Sequence, residues 1–155
     1  FTRFVRKDVI RVYDEGSEFE IGKGVVLHES AGDKATIITS GIMVDESLKA
    51  YEALQAEGIH VRVIDMFTWK PLDEELVLKA AKETGAIVTA ENHNTCCGLG
   101  SVVANCLAKN CPTVQEFVGV QDEFGQVGPQ GFLMDTYGLR AANIVEAVKK
   151  AIARK

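Results

Sequence analysis

Apolar residues in this chain switch between two spacings, and the switches mark out the elements. Ala35-Thr36-Ile37-Ile38-Thr39-Ser40 is a short, β-branched run closed by Gly41, the pattern of a buried strand. Val44, Leu48, Tyr51 and Leu54 then recur at helical spacing, with Asp45, Glu46, Lys49 and Glu52 between them. This predicts an amphipathic helix with acids in its first turn, where the macrodipole favours them, and Gly58 just past its end. Residues 59–66 predict a second strand. Pro71-Leu72-Asp73 opens another helix, with Asp73 as N-cap, Leu72 able to staple onto Val77, and Gly85 as terminator. Residues 86–90 predict a third strand, 99–109 a helix stopped by Asn110 and Pro112, and 113–120 a fourth strand. Two helical stretches close the pattern. One carries Phe132, Leu133 and Tyr137 and is capped by Gly138-Leu139. The other carries Ile144, Val145, Val148 and Ile152. Strands alternating with helices of this length mean an α/β sandwich with a mainly parallel sheet.

Residues 1–30 follow a different pattern. Residues 1–5 predict a strand, 19–27 an edge strand or hairpin, and the charged segment between them a linker. The expected organisation is a tail and linker over 1–18 and one domain over 19–155. Phe1 in place of Met suggests a piece of a longer protein.

Composition narrows the function. Of 155 residues, 46% are apolar and 25% charged, and the net charge is −5 with acids and bases interspersed. A nucleic-acid partner would ask for a basic face, and no apolar run approaches the roughly 20 residues of a membrane span. A cytoplasmic protein is expected, with Cys96, Cys97, Cys106 and Cys111 as free thiols. Their spacing matches no usual zinc motif, so no metal is expected.

The chemistry-bearing stretch is Glu91-Asn92-His93-Asn94-Thr95-Cys96-Cys97-Gly98-Leu99-Gly100-Ser101. It follows a predicted strand and opens a predicted helix, at the carboxyl edge where open α/β sheets bind ligands. Two readings stand for its glycines. Gly98 and Gly100 would let helix amides approach an anion, or they would permit a tight turn and close packing. Glu91 and His93, two apart, would face one cleft as an acid/base pair, or they would belong to a satisfied polar loop or to a domain or subunit contact. Neither a G-x-G-x-x-G after the first clear strand nor a complete P-loop is present.

Taken together, the motifs are similar to those of the transketolase C-terminal domain, within the thiamine-diphosphate enzymes. The matching residues are Gly22-Lys23-Gly24, Asp33 to Gly41, Val63-Ile64-Asp65-Met66, Lys70-Pro71-Leu72-Asp73, Glu91-Asn92-His93 and Gly98-Leu99-Gly100. The tail, Asp122-Glu123-Phe124-Gly125-Gln126-Val127-Gly128-Pro129 with Tyr137-Gly138-Leu139 and Ile144-Val145, is the most specific part. The pattern covers roughly residues 19–150. It resembles the separate C-terminal subunit of split transketolases most. The β subunits of 2-oxo acid dehydrogenases and deoxyxylulose-phosphate synthase resemble it less, and a stand-alone ligand-binding module is the competing class.

The resemblance implies a three-layer α/β/α sandwich around a five-stranded mixed sheet with one antiparallel strand. It also implies a parent enzyme that moves a two-carbon ketol unit between phosphorylated sugars in carbohydrate metabolism. In the family, thiamine diphosphate and Mg²⁺ are held by the two other domains. This fragment is therefore expected to bind neither, to be inactive alone, and to scaffold a homodimer with upstream domains or an N-terminal subunit as partner. Arg6 matches the family's phosphate-binding arginine at the end of the preceding pyrimidine-binding domain. One departure is Arg140, where the family often has Thr or Ser. A helix cap of about 0.5–2 kcal/mol would then be missing.

Overall fold

A computed structural model of the chain describes residues 1–2, 4–5 and 9–155. Its elements, in order, are β1 (Val25–His28), β2 (Ala35–Thr39), α1 (Met43–Ala56), β3 (Val61–Asp65), α2 (Glu74–Thr84), β4 (Ala86–Asn94), α3 (Leu99–Asn110), β5 (Val114–Val120), α4 (Gln130–Thr136) and α5 (Ala141–Ala153). The five strands lie in the order β1-β3-β2-β4-β5. β1 runs antiparallel to β3, and the remaining neighbours are parallel. This is the expected three-layer α/β/α sandwich.

Adjacent residues on a strand face opposite sides, so the continuous apolar runs of the central strands feed two cores. Ile37, Val63 and Val88 join Ala50, Leu54, Ile144 and Val148 on the face covered by α1 and α5. Ile38, Ile64 and Ile87 join Val77, Leu99, Val103 and Cys106 on the face covered by α2 and α3. Each of these side chains is almost wholly removed from solvent. Burial of one Ile or Leu at such a position contributes about 1.5–3 kcal/mol.

The punctuation follows the sequence. Asp73 caps α2 by accepting from the Leu76 amide at 3.1 Å, and Leu72 packs in the cluster that holds Val77. Gly85 closes α2 in the left-handed conformation, at φ 70°. The Leu139 amide bonds back to the Met134 carbonyl at 2.8 Å past Gly138, which closes α4.

Two expectations need correction. Phe1, Thr2, Phe4 and Val5 are exposed and belong to no strand. Among the described residues, no strand is assigned that pairs with them. The cap expected to be missing at Arg140 is supplied from another helix. The buried Glu46 carboxylate of α1 accepts from the Ala141 amide at 2.7 Å, while the Asn143 side chain accepts from the Arg140 amide at 3.1 Å. The guanidinium of Arg140 then ties α4 to α5, donating to Asp135 at 2.6 Å and to the Gly131 carbonyl at 2.9 Å. A glutamate one helix away thus does the work of a local Thr or Ser. Glu46→Ala should destabilise the fold by about 1–2 kcal/mol, and Glu46→Gln, which keeps an acceptor, should recover most of that loss. Urea denaturation of the two variants checks this. Equal stability of Glu46→Ala and wild type would mean that the remote cap contributes nothing.

Candidate functional site at the carboxyl edge of the sheet

The order of the parallel strands reverses between β2 and β4, which places the topological switch point, and the expected ligand crevice, at their carboxyl ends. Side chains of the chain itself meet at that edge. The Trp69 indole donates to the Ser40 hydroxyl at 3.1 Å, just past β2, and its ring meets the His93 ring of β4 edge-on at 5.8 Å between centroids. His93 Nδ1 lies 2.9 Å from the Asn94 carbonyl, which fixes the ring along the strand.

Glu91 decides what the glycine turn does. Its side chain is completely buried. Its two carboxylate oxygens accept from the Leu99 amide at 2.7 Å and the Gly100 amide at 2.8 Å, at the first turn of α3. The anion at this helix N-terminus is therefore the protein's own. Burial pushes the Glu91 carboxyl above its ordinary range, while the two amides and nearby His93 pull the other way. The glycines are required by this arrangement. A Cβ on Gly98 would stand 1.9 Å from a Glu91 oxygen, and one on Gly100 would stand 2.6 Å from the Phe117 ring. Gly119 of β5 completes the cradle, because a Cβ there would come within 3.1 Å of Glu91 Cγ and 3.0 Å of the His93 carbonyl.

The site expectations resolve accordingly. Gly98 and Gly100 do bring helix amides to an anion, but that anion is Glu91, so the turn is not open to an external one. The acid/base pairing of Glu91 with His93 is corrected as well. Glu91 faces α3 and is sealed from solvent, while His93 is turned toward Trp69. The predicted strand end at residue 90 moves to Asn94, because Asn94 still pairs with Val120 of β5. Arg6 lies outside the described residues. Sequence reading missed Gly119, whose position inside a strand was the available signal, and Trp69, whose role depends on a contact across the fold.

Beside this edge, Tyr13 donates to the buried Asp65 carboxylate at 2.7 Å at the end of β3, and it stacks edge-on with Phe19, which does the same with Phe67. Burial raises the Asp65 carboxyl, opposed by the Tyr13 bond, and burial together with that bond raises the Tyr13 phenol. The stretch read as a linker is therefore docked on the domain at Tyr13. At the opposite end of the sheet, a groove of about 580 Å³ surrounds Arg62. Glu83 pairs with that guanidinium at 2.6 Å, and Glu29 and Asp33 approach it at 3.6 and 3.7 Å. This is a buried arginine neutralised by its neighbours. Among the described residues, no group of three or more His, Cys, Asp or Glu side chains is placed to hold a metal ion, and no helix is long and apolar enough to cross a membrane.

Comparison with known proteins agrees with the geometry. The model of the family described as transketolase, C-terminal domain, matches residues 22–144. The 6-deoxy-6-sulfo-D-fructose transketolase subunit SqwH of Clostridium sp. (strain MSTE9) is 44% identical over 155 residues, which are 100% of this chain and 48% of that protein. A putative transketolase C-terminal section from Methanocaldococcus jannaschii is 34% identical over 158 residues, again 100% of this chain and 48% of the other. The chain thus spans about half the length of these relatives. Among solved structures, a split gene transketolase described as an inactive beta4 tetramer superposes with a TM-score of 0.90 at 45% identity, covering 96% of this chain and 48% of that one. The transketolase from Leishmania mexicana shares the fold, with a TM-score of 0.65 at 20% identity over 86% of this chain and 18% of that one. With the family's motifs in order along the chain and its fold reproduced around them, this chain belongs to the transketolase C-terminal domain family.

Proposed function

We propose that this chain is the C-terminal section of a ketol-transferring transketolase and serves it as a non-catalytic scaffold. One observation carries the reading: the α3 amides at the carboxyl edge, where an α/β sheet would take an anion, are already bonded to the chain's own Glu91. The residues present do not fit thiamine diphosphate. The α3 amides that would meet a diphosphate are already bonded to Glu91. The cofactor chemistry is therefore assigned to the other domains or to a partner subunit.

A scaffold needs contact surface. Phe124 and Val127 stand 99% and 102% exposed in the family-matching turn after β5, two apolar side chains available for contact. We assign them to contact with the upstream domains or a second copy of the chain. The beta4 assembly named for the split gene relative supports self-association.

Titration of residues 1–155 with thiamine diphosphate and Mg²⁺ should give no saturable heat. A micromolar, metal-dependent isotherm would overturn the scaffold reading.

Arg6 is proposed to hold the sugar's terminal anion in the parent enzyme. A phosphate is the first reading. A sulfonate is the second, favoured by the relative named for a 6-deoxy-6-sulfo sugar. A guanidinium fork can donate to the oxygens of either oxyanion. Assays of the parent enzyme with a ketose phosphate and with 6-deoxy-6-sulfofructose distinguish the two.

A further inference from the structure

The thiol pair Cys96–Cys97 sits in the turn between β4 and α3, and among the described residues neither thiol takes part in a hydrogen bond. Both residues are exposed, whereas Cys106 is buried in the core. Cys97 also has a positive φ of 68°, a conformation that Gly or Asn adopts at lower cost. An exposed cysteine in unfavourable backbone gains nothing from packing, so its thiol is the feature left to explain it.

The turn around the pair is held firmly. The Cys96 amide donates to the Asn94 side chain at 2.8 Å, and the Cys97 amide donates to the Ser101 hydroxyl at 2.9 Å. That hydroxyl donates in turn to the Thr95 carbonyl at 2.7 Å. The Thr95 amide donates to the Val120 carbonyl at 2.9 Å, which anchors the turn to β5. Both backbone amides that carry the thiols are thereby fixed.

Adjacent residues suit a bridging atom better than a disulfide. Their Cα atoms are about 3.8 Å apart across a trans peptide, below the roughly 4.4–6.8 Å that disulfides usually span. A single soft atom placed between the sulfurs relieves that constraint, and soft centres favour sulfur ligands. We infer that Cys96 and Cys97 form a chelating site for one soft thiophilic centre of the trivalent arsenic class. With phenylarsine oxide, two S–H bonds break, two S–As bonds form and the arsenic oxygen leaves as water. Arsenic stays trivalent, so no oxidant is required.

The test is phenylarsine oxide binding to the intact parent protein, read by native mass spectrometry. An adduct that requires both Cys96 and Cys97 is expected, retained in excess glutathione and released by ethanedithiol. Cys96→Ser and Cys97→Ser should each weaken binding by about a hundredfold, because a two-point attachment becomes a single one. Cys106→Ser and Cys111→Ser should leave binding unchanged. Cys97→Gly should lose binding at undiminished thermal stability, which separates the thiol's role from the fold's. An adduct that survives Cys97→Ser, forms only after denaturation or depends on Cys106 would overturn the proposal. A Cys97→Gly variant that melts earlier would do so too, since the cysteine would then serve the fold.

Discussion

Glu91→Ala should cost the domain about 3–5 kcal/mol, a loss comparable to the whole stability of a marginal protein. The substitution removes two charge-assisted hydrogen bonds to the Leu99 and Gly100 amides, each worth about 1.5–3 kcal/mol. Those amides are left buried and unpaired, and a void remains where the carboxylate was. Glu91→Gln should cost less, because one oxygen still accepts while the new amide group points a donor at a donor. Gly98→Ala should be comparably damaging, since its Cβ would stand 1.9 Å from a Glu91 oxygen and 2.6 Å from the Asn94 carbonyl.

The double substitution gives the sharper test. With Glu91 already Ala, the Gly98 methyl has lost its worst clash, so the two losses should fall short of additive by about 1 kcal/mol or more. Denaturant melts of the four proteins measure the cycle. Strict additivity would mean that Gly98 is required by its turn and not by the carboxylate.

Glu91 also predicts a slope with pH. Burial raises its native pKa above the unfolded value, so the native state holds this proton more tightly than the unfolded chain does. Its contribution is therefore most favourable below the ordinary carboxylate range. It declines as pH rises through the interval up to the raised native value, then stays level. Glu91→Gln should remove that component from the stability–pH profile. A wild-type profile unchanged in Glu91→Gln would mean that the carboxyl titrates alike in both states.

The layers of the fold were legible because they rest on local signals. Continuous apolar runs such as Ala35 to Thr39 and helical stripes such as Val44, Leu48, Tyr51 and Leu54 each specify an element within one window. Asp73, Gly85 and Gly138 mark ends by chemistry that acts over a few residues. The candidate site was legible only as a place. Glu91, Gly98 and Gly100 were singled out, but whether the helix amides met an outside anion or an internal one depended on where a side chain eight residues upstream pointed. The Glu46 cap on α5 lies 95 residues from its amide, and Trp69 reaches Ser40 across 29. Such contacts exist only once the sheet order is known. The missing cap at Arg140 was a local inference that a long-range contact overrode.

In the intact enzyme, Arg6→Ala should lower kcat/KM for an anionic sugar substrate by roughly one to two decades, mostly through KM. This rests on the proposed role of Arg6 as the group that holds the sugar's terminal oxyanion. A charge-assisted contact of that kind is worth about 1.5–3 kcal/mol, and each 1.4 kcal/mol is a factor of ten. The anion is remote from the reacting carbonyl, so it is held alike in the ground and transition states, and its loss weakens capture more than turnover. A donor sugar without phosphate or sulfonate should be nearly unaffected, and that comparison separates a lost contact from a damaged fold. Misfolding would depress both donors alike, whereas a missing guanidinium penalises only the one that carries the charge. Arg6→Lys should recover part of the loss, because a point charge remains while the two-pronged geometry is gone. Equal losses for charged and uncharged donors, or no loss for either, would remove Arg6 from the substrate site.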